Sequence, residues 1–174
     1  MNDAIAVDRS KGSLSSAALA RLIALLLPVA LLGGALGSQY IGGLYPCEMC
    51  YWQRWPHGFA ILAALLAFTA PADSSRSRNL TLLAALLITI SGIIGVYHAG
   101  VEARIFEGFT TCTALGGKGM STADLLKKIS QAPLIRCDQV QWSRFGISLA
   151  GWNAIFSLGG AAAILFLTLR ARRA

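Results

Sequence analysis

A chain of 174 residues with a net charge of +7, a mean hydropathy of +0.60 and only 13% charged residues fits one domain, yet it is too apolar for an ordinary soluble core. The positive charge does not mark a nucleic-acid binder. The basic residues stand in short stretches between apolar runs, the pattern the positive-inside rule expects of a membrane protein.

Residues 1–16 are polar, and the apolar run that follows is long enough to span and ends in no small-x-small cleavage pattern, so it reads as a membrane span rather than a cleavable signal. The first span is predicted over residues 18–37, with Arg21 snorkelling at its start and Pro28 as a kink. A Gly-rich loop over 38–49 leads to Tyr45-Pro46-Cys47-Glu48-Met49-Cys50-Tyr51-Trp52-Gln53-Arg54. Pro46 bars the α region to Tyr45, so a helix starts near Cys47 and no earlier. Both sulfurs then fall in the first helical turn, where free N–H groups and the helix dipole favour a thiolate. Cys47, Cys50 and Arg54 are spaced i, i+3, i+7 and share one helix face.

The apolar part after His57 is too short to cross about 30 Å of hydrocarbon alone, so the second span is predicted over 50–70. Arg54 then lies at a membrane interface with Tyr51, Trp52 and Trp55 as an aromatic belt. Pro71 to Asn79 reads as a polar turn and 80–97 as the third span. A long loop over 98–144 carries Cys112 and Cys137. Within it Ser121 to Ser130 reads as a short amphipathic helix, capped by Ser121 or Thr122, with Leu125, Leu126 and Ile129 as its apolar stripe. The fourth span is predicted over 145–169. Arg9, Lys11, Arg21, Arg76, Arg78, Arg170, Arg172 and Arg173 all fall on one side, which makes both termini cytoplasmic and turns all four cysteines to the oxidising side. The fold class expected is an all-α membrane protein, an antiparallel four-helix bundle forming a single domain over 1–174.

Spacing favours pairing Cys47 with Cys50 and Cys112 with Cys137. A bond in the second pair closes a loop of about 25 residues and contributes roughly 3–4 kcal/mol in the chain-entropy model. A two-residue loop constrains almost nothing, so the first pair reads as redox-active rather than as a staple. A four-cysteine zinc site lacks its second Cys-x-x-Cys, and a c-type haem lacks the His after Cys50. No metal is expected. Arg54 is a candidate anchor for an electron-rich carbonyl oxygen, against plain snorkelling; His98 is an interfacial or packing histidine that can also touch a cofactor. His57 and Asn153 read as interhelical hydrogen-bonding residues, and Gly117-x-Gly119 as an ordinary loop.

Taken together, Pro-Cys-x-x-Cys-Tyr-x-x-Arg at 46–54, Tyr97-His98-Ala99-Gly100, Phe106-Glu107-Gly108, Thr111-Cys112-Thr113, Cys137-Asp138 and Gly151-Trp152-Asn153 resemble the DsbB family of bacterial inner-membrane disulfide oxidases over nearly the whole chain. Glu48 and Met49 inside the motif differ from the best-known members. The resemblance implies a quinone-dependent enzyme that reoxidises a DsbA-like, thioredoxin-fold periplasmic partner. It also implies catalytic residues Cys47, Cys50, Cys112 and Cys137, with Cys112–Cys137 facing the partner and Cys50 nearest the quinone. Arg54 and His98 match quinone-contacting positions. A structural membrane protein with inert disulfides, or an oxidoreductase run in the reducing direction, are the alternatives.

Overall fold

The computed structural model describes residues 15–107, 121 and 136–173. Among these residues four helices carry the fold: α1 (Ser16–Tyr40), α2 (Glu48–Ala67), α3 (Ser75–Glu102) and α4 (Leu149–Arg173), with a hairpin of β1 (Ser143–Arg144) and β2 (Ile147–Ser148) before α4. Each start has a local cause. Ser15, Cys47 and Ser74 cap α1, α2 and α3, their side chains accepting from the amides of Ala18, Cys50 and Ser77. Ser148 Oγ accepts from the Gly151 amide at the head of α4.

The bundle inverts the pattern of a soluble one. Its centre is built from Ala20, Ala24, Ala60, Ala63, Ala64, Ala84, Ala85, Ile88, Ala161 and Ile164, while Phe59, Leu62, Leu65, Leu86, Ile93, Phe156 and Phe166 point outward. Small residues inside and large apolar ones outside let helix backbones approach closely in lipid, where hydrocarbon supplies no drive to bury a leucine. α3 approaches α4 closely. A Cβ added at Gly95 meets the Ala150 carbonyl oxygen at 3.0 Å and the Ala154 amide at 3.2 Å, both backbone atoms with no room to give. Gly95→Leu is therefore expected to force the two helices apart and lose about 1–3 kcal/mol. Thermal unfolding in detergent reads this directly; an unchanged midpoint would mean the contact is slack.

Among the described residues, three helices are long and apolar enough to cross a membrane: α1, α3 and α4 over Leu149–Ala171. The second helix has 20 residues, about 30 Å at 1.5 Å per residue, but its first half carries Glu48, Gln53, Arg54 and His57. Several boundaries differ from the sequence expectation. The polar turn ends at Ser74, so Arg76, Arg78 and Asn79 already lie in the first two turns of α3. At its other end α3 runs past His98 to Glu102. It closes in a Schellman motif, with Ile105 N to Gly100 O at 2.8 Å and Arg104 N to Val101 O at 3.0 Å, and Arg104 in the left-handed region at φ 59°.

The last helix begins at Leu149 rather than Phe145. Phe145 (φ 54°) and Gly146 (φ 77°) form the two-residue turn of the β1–β2 hairpin, whose positive φ at both centres matches the strand twist and excludes a helix there. The expected amphipathic helix over 121–130 and Cys112 lie outside the described residues, apart from Ser121.

Candidate functional site

The start of α2 gathers the chemistry. Cys47, as N-cap, turns its sulfur inward, 4% exposed, into a small cluster with Met49, Val101 and Cys137, against which Cys50 and Tyr97 pack. Cys47 and Cys50 are thiols; Cys47 Sγ donates to Cys50 Sγ at 3.1 Å, and the Cys50 amide reaches Cys47 Sγ at 3.4 Å. The neighbouring Cys50 sulfur and burial hold the Cys47 thiol well above the ordinary cysteine range, so Cys47 keeps its proton and Cys50 is the electron-rich member. Cys137 is buried at 4% exposure beside Cys47, although 90 residues apart in sequence number, 137 − 47. The structure thus brings three of the four sequence-predicted cysteines to one end of the bundle, and the fourth, Cys112, is outside the described residues.

Below the pair lies a cavity of about 390 Å³. Cys47, Cys50, Gln53, Arg54 and His57 of α2, His98 and Glu102 of α3, and Asn153 of α4 supply its polar wall. Leu31, Ala35, Trp152 and Phe156, from α1 and α4, supply much of the apolar one. Arg54, expected to snorkel or to hold a carbonyl, points at α1. Its Nη1 donates to Gln39 Oε1 at 2.5 Å, its Nη2 to the Ala35 carbonyl at 3.1 Å, and its guanidinium sits 5.3 Å from the Tyr51 ring centre. Among the described residues, Arg54 Nε is buried without a partner. His98 is buried at 3% exposure, its Nε2 3.5 Å from Cys47 Sγ and 3.8 Å from Glu102 Oε1.

The expected interhelical role of His57 and Asn153 is visible in full. Asn153 Nδ2 donates to Gln53 Oε1 (2.8 Å) and to the Ser91 carbonyl (3.3 Å), while its Oδ1 accepts from His57 Nε2 (2.9 Å) and Ser157 Oγ (3.2 Å). Ser91 Oγ donates to the Gln53 carbonyl at 2.9 Å. Sequence reasoning missed Gln53, Ser91 and Glu102. Glu102 stands i+4 from His98 and was visible in that spacing alone.

Among the described residues, Cys47, Cys50 and His98 are the group whose donor atoms converge closely enough to hold a metal, all within 4.8 Å. Their hydrogen-bond surroundings suit a proton on the His98 nitrogen that faces the sulfur.

The model of the family described as "Disulfide bond formation protein DsbB" matches residues 17–167. Among similar proteins are Disulfide bond formation protein B of Verminephrobacter eiseniae, 33% identical over 168 residues, covering 87% of this chain and 86% of its own, and Disulfide bond formation protein B of Polaromonas sp., 31% identical with 88% and 92% covered. An uncharacterized protein, RP370, of Rickettsia prowazekii is 26% identical, with 79% of each chain covered. No solved structure is significantly similar.

Proposed function

The chain belongs to the DsbB family, and is thereby a multi-pass membrane disulfide oxidoreductase; from that premise we propose that it reoxidises a DsbA-like periplasmic dithiol oxidase and hands the two electrons to a membrane quinone. The observation that carries this reading is a single cavity onto which Cys50, Arg54 and His98 all face. In this reading α2 is a fourth span, in keeping with the outward Phe59, Leu62, Leu65 and Leu66 on its second half. Both termini are cytoplasmic, the protein sits in the bacterial inner membrane, and the cysteine end is periplasmic, where disulfides persist.

The residues present fit a quinone. The cavity is walled by apolar side chains along α1 and α4, and Arg54 Nε is an orphaned buried donor suited to an electron-rich carbonyl oxygen. When bound, a quinone supplies the acceptor for two electrons and two protons. The chain's own residues do the rest by thiol–disulfide exchange. A partner thiolate attacks Cys112 of the Cys112–Cys137 bond and Cys137 leaves as the thiolate. The partner's second thiolate breaks the mixed bond, freeing Cys112 and leaving the partner oxidised. Cys137 then attacks the Cys47–Cys50 disulfide and Cys112 resolves the adduct, so that the electrons now reside on Cys47 and Cys50. Cys137 packing against Cys47 supports this order.

The test is to mix purified protein with a reduced thioredoxin-fold oxidase and a soluble quinone and to follow quinone absorbance; no partner-dependent loss would overturn the proposal. Arg54→Ala is expected to raise the KM for quinone roughly tenfold to a hundredfold, the worth of a charge-assisted hydrogen bond of about 1.5–3 kcal/mol. Because Arg54 also ties α2 to α1, thermal stability is measured alongside. A drop in stability with an unchanged KM would leave Arg54 only that tie.

A further inference from the structure

The hydrogen bonds around His98 leave one consistent proton arrangement. Gln53 Nε2 lies 3.2 Å from the Met49 carbonyl, which can only accept, so the amide nitrogen and not the oxygen faces that way. Gln53 Oε1 correspondingly receives Asn153 Nδ2, and the Asn153 amide is itself oriented by the Ser91 carbonyl. With both amides fixed, Gln53 Nε2 at 2.8 Å from His98 Nδ1 must be the donor and Nδ1 the acceptor. The ring proton therefore sits on Nε2. Among the described residues, the groups placed at Nε2 can both accept: Cys47 Sγ at 3.5 Å and Glu102 Oε1 at 3.8 Å.

A metal-ligating histidine shows the opposite pattern. It donates its far N–H to an acceptor and offers a bare nitrogen to the ion. Here the far nitrogen receives a proton donor, so the convergence of Cys47, Cys50 and His98 points to hydrogen bonding to sulfur rather than to metal capture.

We propose that Gln53 is a positioning residue that holds His98 as its Nε2–H tautomer, so that this N–H faces the Cys47 sulfur against which Cys137 packs. The local claim stands on geometry; its use in catalysis rests on the relay reading above. Cys137 must approach Cys47 along the S–S axis, and a donor fixed at Cys47 Sγ holds that sulfur where Cys137 packs against it. Donation toward Cys47 Sγ also leaves the Cys47 S–H directed at Cys50, as observed.

The chain has two histidines, His57 and His98, which makes the test direct. Full-length protein labelled with ¹⁵N-imidazole histidine in detergent micelles is examined by long-range ¹H–¹⁵N correlation, with His98→Asn assigning the signals. Wild type is expected to show His98 as Nε2–H. Gln53→Glu, recorded at a pH where its carboxyl is ionised, offers only acceptors and is expected to switch His98 to Nδ1–H while His57 stays Nε2–H. An Nδ1–H His98 in wild type, or no switch in Gln53→Glu, would overturn the assignment, and the wild-type spectrum decides even if the variant folds poorly.

The positioning role is read in a Cys50→Ser, Cys112→Ser background, where only Cys47 and Cys137 remain. Diamide oxidises this pair to a disulfide and is itself reduced to the hydrazine. Adding Gln53→Glu should slow that bond's formation roughly tenfold, the worth of one lost hydrogen bond; an unchanged rate would remove the positioning role. Neither readout uses quinone or partner. A correct tautomer in a protein that fails to turn over would therefore count against the oxidase reading alone.

Discussion

Replacing Cys50 with Ser is expected to abolish quinone-dependent turnover, by more than a thousandfold, while still permitting one stoichiometric exchange between the reduced partner and Cys112–Cys137. Cys47 is almost fully enclosed, whereas Cys50 is the half-buried sulfur of the pair and stands one turn above Arg54 on the cavity wall. Cys47 is a thiol locked as a donor toward Cys50, so the nucleophilic electron pair of the reduced site resides on Cys50. A serine hydroxyl there neither forms a disulfide nor ionises near neutral pH, which removes the step rather than slowing it. The enzyme is mixed with excess reduced partner, oxidised partner is counted by thiol labelling, and quinone absorbance is followed in parallel. One equivalent of oxidised partner with no quinone loss is the expected outcome. Sustained quinone reduction would show that electrons leave by another sulfur.

Much of this site was open to sequence reasoning because its determinants are local. Pro46 forbids an earlier helix start, so Cys47 has to cap α2 and Cys50 has to fall in its first turn. Arg54 follows from the i+4 spacing, and α1, α3 and α4 follow from the length of their apolar runs. What stayed hidden is non-local. Gln53 meets His98 45 residues away and Asn153 100 residues away, and no spacing rule within α2 singles it out from other polar residues in a helix. The hairpin before α4 was missed for a different reason. Two residues per strand are too few to show a period of two, and Phe145 reads as the first apolar residue of a span until its positive φ is seen.

Arg136 illustrates a third limit. Adjacent to Cys137 in sequence, its charge leans weakly toward a stabilised Cys137 thiolate and a good leaving group, with Asp138 on the other side partly offsetting it. In the structure the guanidinium is spent on Asp138, with Nε to Oδ1 at 2.9 Å and Nη2 to Oδ2 at 2.7 Å, and the same pairing holds the Asp138 carboxyl below its usual range. The charge argument for Cys137 is thereby largely cancelled, and burial takes its place.

Burial leads to the second large effect. Cys137 is only 4% exposed and packs among Cys47, Met49 and Val101. A thioredoxin-fold partner must bring its thiolate in line with the sulfur it attacks, and a protein-sized nucleophile has no such path to Cys137 without dismantling that cluster. Attack is therefore expected to fall on Cys112, with Cys137 leaving beside Cys47, against which it packs. Cys137→Ser is expected to accumulate a partner adduct through Cys112 once the protein is mixed with partner under mild oxidation, because no Cys137 thiolate remains to reclaim the bond. Cys112→Ser is expected to give at least tenfold less adduct under the same conditions. The two variants are compared side by side on non-reducing gels, with peptide mapping to locate the bond. A dominant adduct through Cys137 would mean that the cluster around Cys47 opens to the partner, and the relay would then begin at the buried sulfur rather than end there.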